Sequence, residues 1–110
     1  MRRLSLTVVL FVTLSAGATW GRPKPDPAIE RGHDTAQRAC AACHAVEKGG
    51  GESMVPRAVP FASLEMRHTV GLDGRLADIT RKGHYGMPLV ALSPGELADL
   101  RAYIESLRPR

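Results

Sequence analysis

Cys40-Ala41-Ala42-Cys43-His44 decides the reading of this chain: its only two cysteines stand three apart, and a histidine follows at once. Side chains three apart on a helical turn lie on one side. Both sulfurs can therefore reach neighbouring edges of one flat group, with the His44 imidazole directed at its centre. That is the spacing for covalent haem attachment through two thioether bonds, with His44 held at high effective concentration as an iron ligand. The competing chemistries fit less well. A disulfide between residues three apart is geometrically awkward and closes a tiny loop. A thioredoxin-like redox pair opens a helix after a strand, whereas the segment before Cys40 reads as helix. A structural zinc ion wants four ligands, and only scattered histidines accompany the two thiols.

Working outward, Asp26 can cap a helix with Pro27 at its first position, and Ile29, Ala36 and Ala39 give it a modest apolar face. The expected helix runs over 27–40. Beyond the motif, Glu47-Lys48-Gly49-Gly50-Gly51-Glu52-Ser53 reads as a flexible loop, and Pro56 and Pro60 keep the backbone irregular. A short helix is expected over 61–67. Leu72, Leu76 and Ile79 fall at helical spacing, with Asp73 near the start and Gly83 at the stop. Ser93-Pro94-Gly95-Glu96 reads as a capping box ahead of Leu97, Leu100, Ile104 and Leu107, which predicts a helix over 94–107 stopped before Pro109. No strand alternation and no internal repeat is present, so the class is all-α, with three to five short helices.

The first residues carry a different signal. Arg2 and Arg3 precede an apolar run from Leu4, and Ala16-Gly17-Ala18 supplies a small-x-small cleavage pattern. Residues 1–18 are expected to be a cleaved secretory signal, 19–26 a proline-rich lead-in, and 27–110 the functional domain. The charge-free stretch, interrupted by serines, threonines and a glycine, is shorter than the ~20 apolar residues of a spanning helix. A retained N-terminal anchor on the periplasmic face is therefore the runner-up, and a soluble periplasmic protein without stable membrane insertion is expected. Cleavage removes two basic residues and no acidic one from a formal charge of +4, which leaves about +2. No lysine or arginine cluster dense enough to grip phosphate backbones appears, so nucleic acid is excluded as a partner. Cleavage also leaves only four aromatics, Trp20, Phe61, Tyr85 and Tyr103, to build a core. A domain this small needs something more at its centre, and a haem would supply it.

With His44 on one face of an iron, the candidates for the other are Met54, Met66, Met87, His33, His68 and His84. Met54 and Met66 read as core filling, and His33 and His68 as surface residues. Met87 stands in Gly83-His84-Tyr85-Gly86-Met87-Pro88, a loop from which a side chain can turn inward, and His84 competes with it.

From about Ala28 to Leu107 the chain resembles the class I cytochromes c, especially short bacterial soluble members. Gly32, eight residues before the first cysteine, is similar to the glycine that lets the family's first and last helices cross. Tyr103 is similar to the aromatic that packs there. Val59-Pro60-Phe61 resembles the family's proline segment, which implies that the Pro60 carbonyl accepts from the second nitrogen of His44. Gly86-Met87-Pro88 resembles the axial methionine loop, which makes Met87 the sixth ligand. The resemblance implies a monomeric one-electron carrier, with no catalytic residues of its own, between a donor dehydrogenase and an acceptor oxidase or reductase. A dedicated haem subunit of an oxidoreductase, or a haem-based ligand sensor if Met87 does not bind, are the alternatives. Arg57, Arg67, Arg75, Arg81 and Lys82 are placed to steer an acidic partner or to form a merely solvated surface.

Overall fold

Asp26 starts the first helix as its sequence predicts, its side chain accepting from the Ala28 amide at 2.9 Å with Pro27 in the first turn. The computed structural model describes residues 17, 20–67, 71–84 and 86–108, so the expected signal segment, His68 and Tyr85 lie outside the described residues, apart from Gly17. Four helices follow one another: α1 (Pro27–Ala39), α2 (Leu64–Arg67), α3 (Leu72–Lys82) and α4 (Pro94–Ser106). No strand occurs among the described residues. The all-α class is borne out.

Helix α1 stops one residue short of expectation, with Cys40 as its C-cap, and α2 begins at Leu64 rather than Phe61. The second difference has a local cause. The Ser63 amide donates to the Pro60 carbonyl at 3.0 Å, a turn that occupies the residues before α2. Helix α3 lacks a side-chain cap, since Gly71 precedes it in the left-handed region at φ 67°. Helix α4 has both halves of the expected capping box: Ser93 Oγ accepts from the Glu96 amide at 3.1 Å, and Glu96 Oε2 accepts from the Ser93 amide at 2.9 Å.

The fold is organised by the crossing of α1 over α4. Gly32 is buried in it, and a Cβ there would overlap the Asp99 carbonyl and meet the Tyr103 Cβ at 2.7 Å. Only a glycine lets the backbones approach so closely. Arg31 grips Asp99 with two bonds, of 2.8 and 3.0 Å, and Arg38 pairs with Glu96 at 2.7 Å. Beneath them Ala36, Leu100, Tyr103, Ile104 and Leu107 meet Val46, Phe61, Leu72 and Leu76 in one core. Among the described residues Phe61 and Tyr103 are its aromatics, which agrees with the small apolar volume expected. Met54 corrects an expectation: it is 80% exposed, because it projects from the loop rather than from a periodic helical face.

The pairs across the crossing carry a pH dependence. The Arg31 guanidinium holds the Asp99 carboxyl below its ordinary range, and the Ser93 amide followed by Arg38 does the same for Glu96. A carboxyl whose folded pKa is depressed contributes stability above its unfolded pKa and loses it as pH falls through the folded value. Thermal unfolding is therefore expected to be flat near neutrality and to weaken as pH falls from about 5 towards 3. Asp99→Asn should remove part of that acid limb.

Candidate haem site

The turn that ends α1 presents the two thiols and the imidazole together. The Cys43 and His44 amides both donate to the Cys40 carbonyl, at 3.2 and 2.9 Å, so the chain keeps winding through the motif after the helix ends. Cys40 is buried, Cys43 is half-buried, and both are free thiols. Burial pushes the Cys40 thiol up to about 11, against the opposing pull of Arg38. It therefore stays protonated at neutral pH.

His44 Nδ1 lies 2.8 Å from the Val59 carbonyl oxygen. A carbonyl can only accept, so Nδ1 carries the hydrogen and Nε2 keeps its lone pair for a ligand bond. The expected partner was the carbonyl of Pro60, and the structure moves the bond by one residue. The Pro60 carbonyl instead accepts from the Ser63 amide in the turn before α2. Phe61 then packs its ring on the imidazole, with centroids 5.5 Å apart and planes at 53°.

The backbone around His44 is pinned from four sides. The Val55 amide donates to the Cys43 carbonyl at 3.1 Å, and the Ala45 amide donates to Ser53 Oγ at 2.9 Å. The Phe61 amide reaches the Ala45 carbonyl at 2.9 Å, and the Tyr103 hydroxyl reaches the Val46 carbonyl at 2.6 Å. Ser53 and Val59 are site residues that the sequence did not single out. Val59 acts through a carbonyl that every residue possesses, so no side-chain signal could have marked it.

Cys40, Cys43 and His44 all line a cavity of about 560 Å3, within the range of pockets that enclose a small molecule. Helix α3 lines it with Leu72, Leu76 and Ile79, and the loop after α3 adds Met87 and Pro88. That loop is tightly turned. The Met87 amide donates to the His84 carbonyl at 2.7 Å, and the His84 amide answers to the Met87 carbonyl at 3.4 Å. Gly83 permits it: φ is 72°, and a Cβ there would stand 2.7 Å from the Met87 carbonyl oxygen. Met87 is half-buried and His84 exposed, although both border the cavity. Met66, read as core filling, packs on the core and also lines the cavity. His33, read as a surface residue, is half-buried against Tyr103. Two thiols, an imidazole nitrogen with its tautomer fixed and a thioether in one apolar cavity form a donor set that fits haem c.

Residues 27–104 match the family described as cytochrome c oxidase, cbb3-type, subunit III. The cytochrome c-552 of Bradyrhizobium diazoefficiens is 40% identical over 85 residues, which cover 74% of this chain and 79% of that one. The chain belongs to the cytochrome c family. No solved structure matches it. As a small c-type cytochrome it carries covalently bound haem c and works in haem-based electron transfer, and Cys40 and Cys43 have the spacing that such attachment uses. Among the described residues, no helix of the cytochrome is long and apolar enough to cross a membrane.

The structure sorts the basic residues named above. Arg57 and Arg75 line the cytochrome's cavity, are exposed, and form no ion pair among the described residues. Arg81 and Lys82 instead turn to Asp78, at 3.4 and 3.6 Å. Asp78 offsets one of their two positive charges. The cytochrome also exposes large apolar side chains, Val55 at the cavity and Met54 beside it in sequence, and Leu89 from the loop after Met87.

Proposed function

We propose that this cytochrome is a periplasmic one-electron carrier, its haem c attached at Cys40 and Cys43 and its iron held by His44 and Met87. The observation that carries the reading is the convergence of Met87 and a tautomer-fixed His44 on one apolar cavity. When bound, the haem supplies a one-electron couple at its iron. The residues tune that couple. The Nδ1 bond to Val59 makes the ligating nitrogen of His44 more basic, and a thioether from Met87 places the potential on the positive side of the c-type range. Leu72, Leu76 and Ile79 provide low-dielectric walls that disfavour the extra charge of the oxidised state. If His44 and Met87 both hold the iron, no coordination site would be left open to a substrate, and the chain would act as a carrier rather than an enzyme.

In this reading residues 1–18 are removed on export, 19–26 form the lead-in, and 27–110 function as a monomer. The donor is a dehydrogenase and the acceptor an oxidase or reductase. Val55 and Leu89, 41% and 66% exposed, supply apolar contact for a small, short-lived interface, with Arg57 and Arg75, which form no ion pair among the described residues, as positive charges at the cavity.

The test is to mature the chain in a host with c-type haem attachment machinery and record oxidised and reduced spectra. Sharp c-type bands, haem that stays on the denatured chain, and the weak red charge-transfer band of methionine ligation are expected. Haem without that band would move the sixth ligand to His84 or leave the position open; no haem would return Cys40 and Cys43 to thiol chemistry. The description of the matching family favours one second reading, a dedicated haem subunit of an oxidase complex. Stable copurification with a membrane oxidase would support it.

A further inference from the structure

The crossing of α1 and α4 holds a titratable cluster that electron carriage as described above does not use. His33 Nε2 of α1 lies 2.9 Å from Oε1 of Glu47. Gln37 Nε2, one turn further along α1, donates to the same oxygen. The His33 hydrogen bond, above all, holds the Glu47 carboxyl below its ordinary range, so Glu47 is ionised throughout the neutral region. A carboxylate can only accept, so Nε2 carries a hydrogen whether the ring is neutral or cationic, and the proton comes and goes at Nδ1. Charge at His33 can therefore change while the hydrogen bond persists.

This cluster is tied to the segment that holds His44. The His33 ring rests on Tyr103 of α4, with centroids 5.1 Å apart and planes at 54°. Burial raises the Tyr103 pKa, so its hydroxyl stays protonated and donates to the Val46 carbonyl at 2.6 Å. Val46 precedes Glu47, and both follow His44 within three residues. The other charged groups nearby are Asp34 and Lys48, exposed neighbours in sequence of His33 and Glu47, and two pairs, Arg31 with Asp99 and Arg38 with Glu96, that neutralise themselves.

We propose that His33 and Glu47 form a redox-linked proton site, at which the chain takes a proton from solvent when it accepts an electron from its donor. The inference rests on the haem reading above. With His33 protonated the pair is neutral overall. Once His33 loses its proton, Glu47 stands as an uncompensated negative charge on the segment of the iron ligand. A negative charge there favours the more positive, oxidised state. The potential therefore falls as pH rises through the His33 titration, and by linkage the reduced protein binds that proton more tightly.

The test uses the haem-loaded protein. Its potential is measured from pH 5 to 9, and the His33 ring protons are titrated by NMR in both oxidation states. The expected result is a potential that falls with rising pH and a His33 midpoint that is higher in the reduced form. Each tenfold difference in proton affinity corresponds to about 59 mV for a one-electron couple. His33→Gln should flatten this limb while leaving the optical spectrum unchanged, and Glu47→Gln should lower the His33 midpoint. Equal His33 midpoints in the two states, or a His33→Gln profile with the original slope, would overturn the proton site and leave the haem reading intact. A chain without c-type bands would instead overturn the haem reading itself, before any titration begins.

Discussion

Met87→Ala should lower the reduction potential by roughly 0.1–0.2 V, a modest share of the ~0.8 V that axial ligands span, and should let the reduced protein bind carbon monoxide. The turn that presents Met87 is made by backbone groups, the paired amides and carbonyls of His84 and Met87. Alanine keeps those bonds, and Gly83 still provides the positive φ on which the turn depends. The substitution thus removes the thioether and little else, and the loss of the red charge-transfer band becomes specific to the ligand. Met87→His is the companion variant. It offers a second imidazole from the same turn, so the site should stay closed to carbon monoxide while the potential still falls. Wild-type spectra and potential in Met87→Ala would show that Met87 does not bind the iron, and His84, which borders the same cavity, would take its place.

The parts of this molecule legible in the sequence are those whose cause is local. Asp26 and Ser93 mark helix starts because a short polar side chain must satisfy free amides next to it, and both caps form, Ser93 with the expected Glu96 amide. The apolar spacing of Leu72, Leu76 and Ile79 predicted a face, and that face borders the cavity. The features that escaped depend on where one segment lies against another. Val59 rather than Pro60 holds His44, while the Pro60 carbonyl closes a turn with Ser63, a matter of backbone geometry without a residue signature. Met54 read as core because methionine is apolar, yet a glycine-rich loop gives it no periodic partner and leaves it in solvent. His33 read as surface because a lone polar residue on α1 carries no local sign of burial, although the resemblance already set Tyr103 at the crossing beside Gly32. The fate of Arg81 and Lys82 was in fact visible, since Asp78 stands three and four residues before them.

Gly32→Val should be the most damaging single substitution in the α1–α4 crossing. Valine puts a Cβ into the Asp99 carbonyl and within 2.7 Å of the Tyr103 Cβ. The first of these obstacles is backbone, so no change of rotamer relieves it, and the branched side chain adds two methyl groups to a buried position. The helices must separate or slide. Either movement pulls Arg31 from Asp99, disturbs the contact of Tyr103 with His33, and draws the Tyr103 hydroxyl from the Val46 carbonyl. Overpacking ordinarily costs about 1–3 kcal/mol, and a backbone collision belongs at the top of that range or beyond it. A loss of ~3 kcal/mol in a domain of this size lowers the melting temperature by about 15 °C or more. Gly32→Ala, which adds the same Cβ without the branches, should fall between the variant and the wild type. The damage should also reach the site, because Tyr103 pins the segment that follows His44. Circular dichroism melts of the haem-loaded proteins, with the methionine charge-transfer band followed in parallel, check both parts. A Gly32→Val protein that melts within a few degrees of wild type would show that the two helices have room to part.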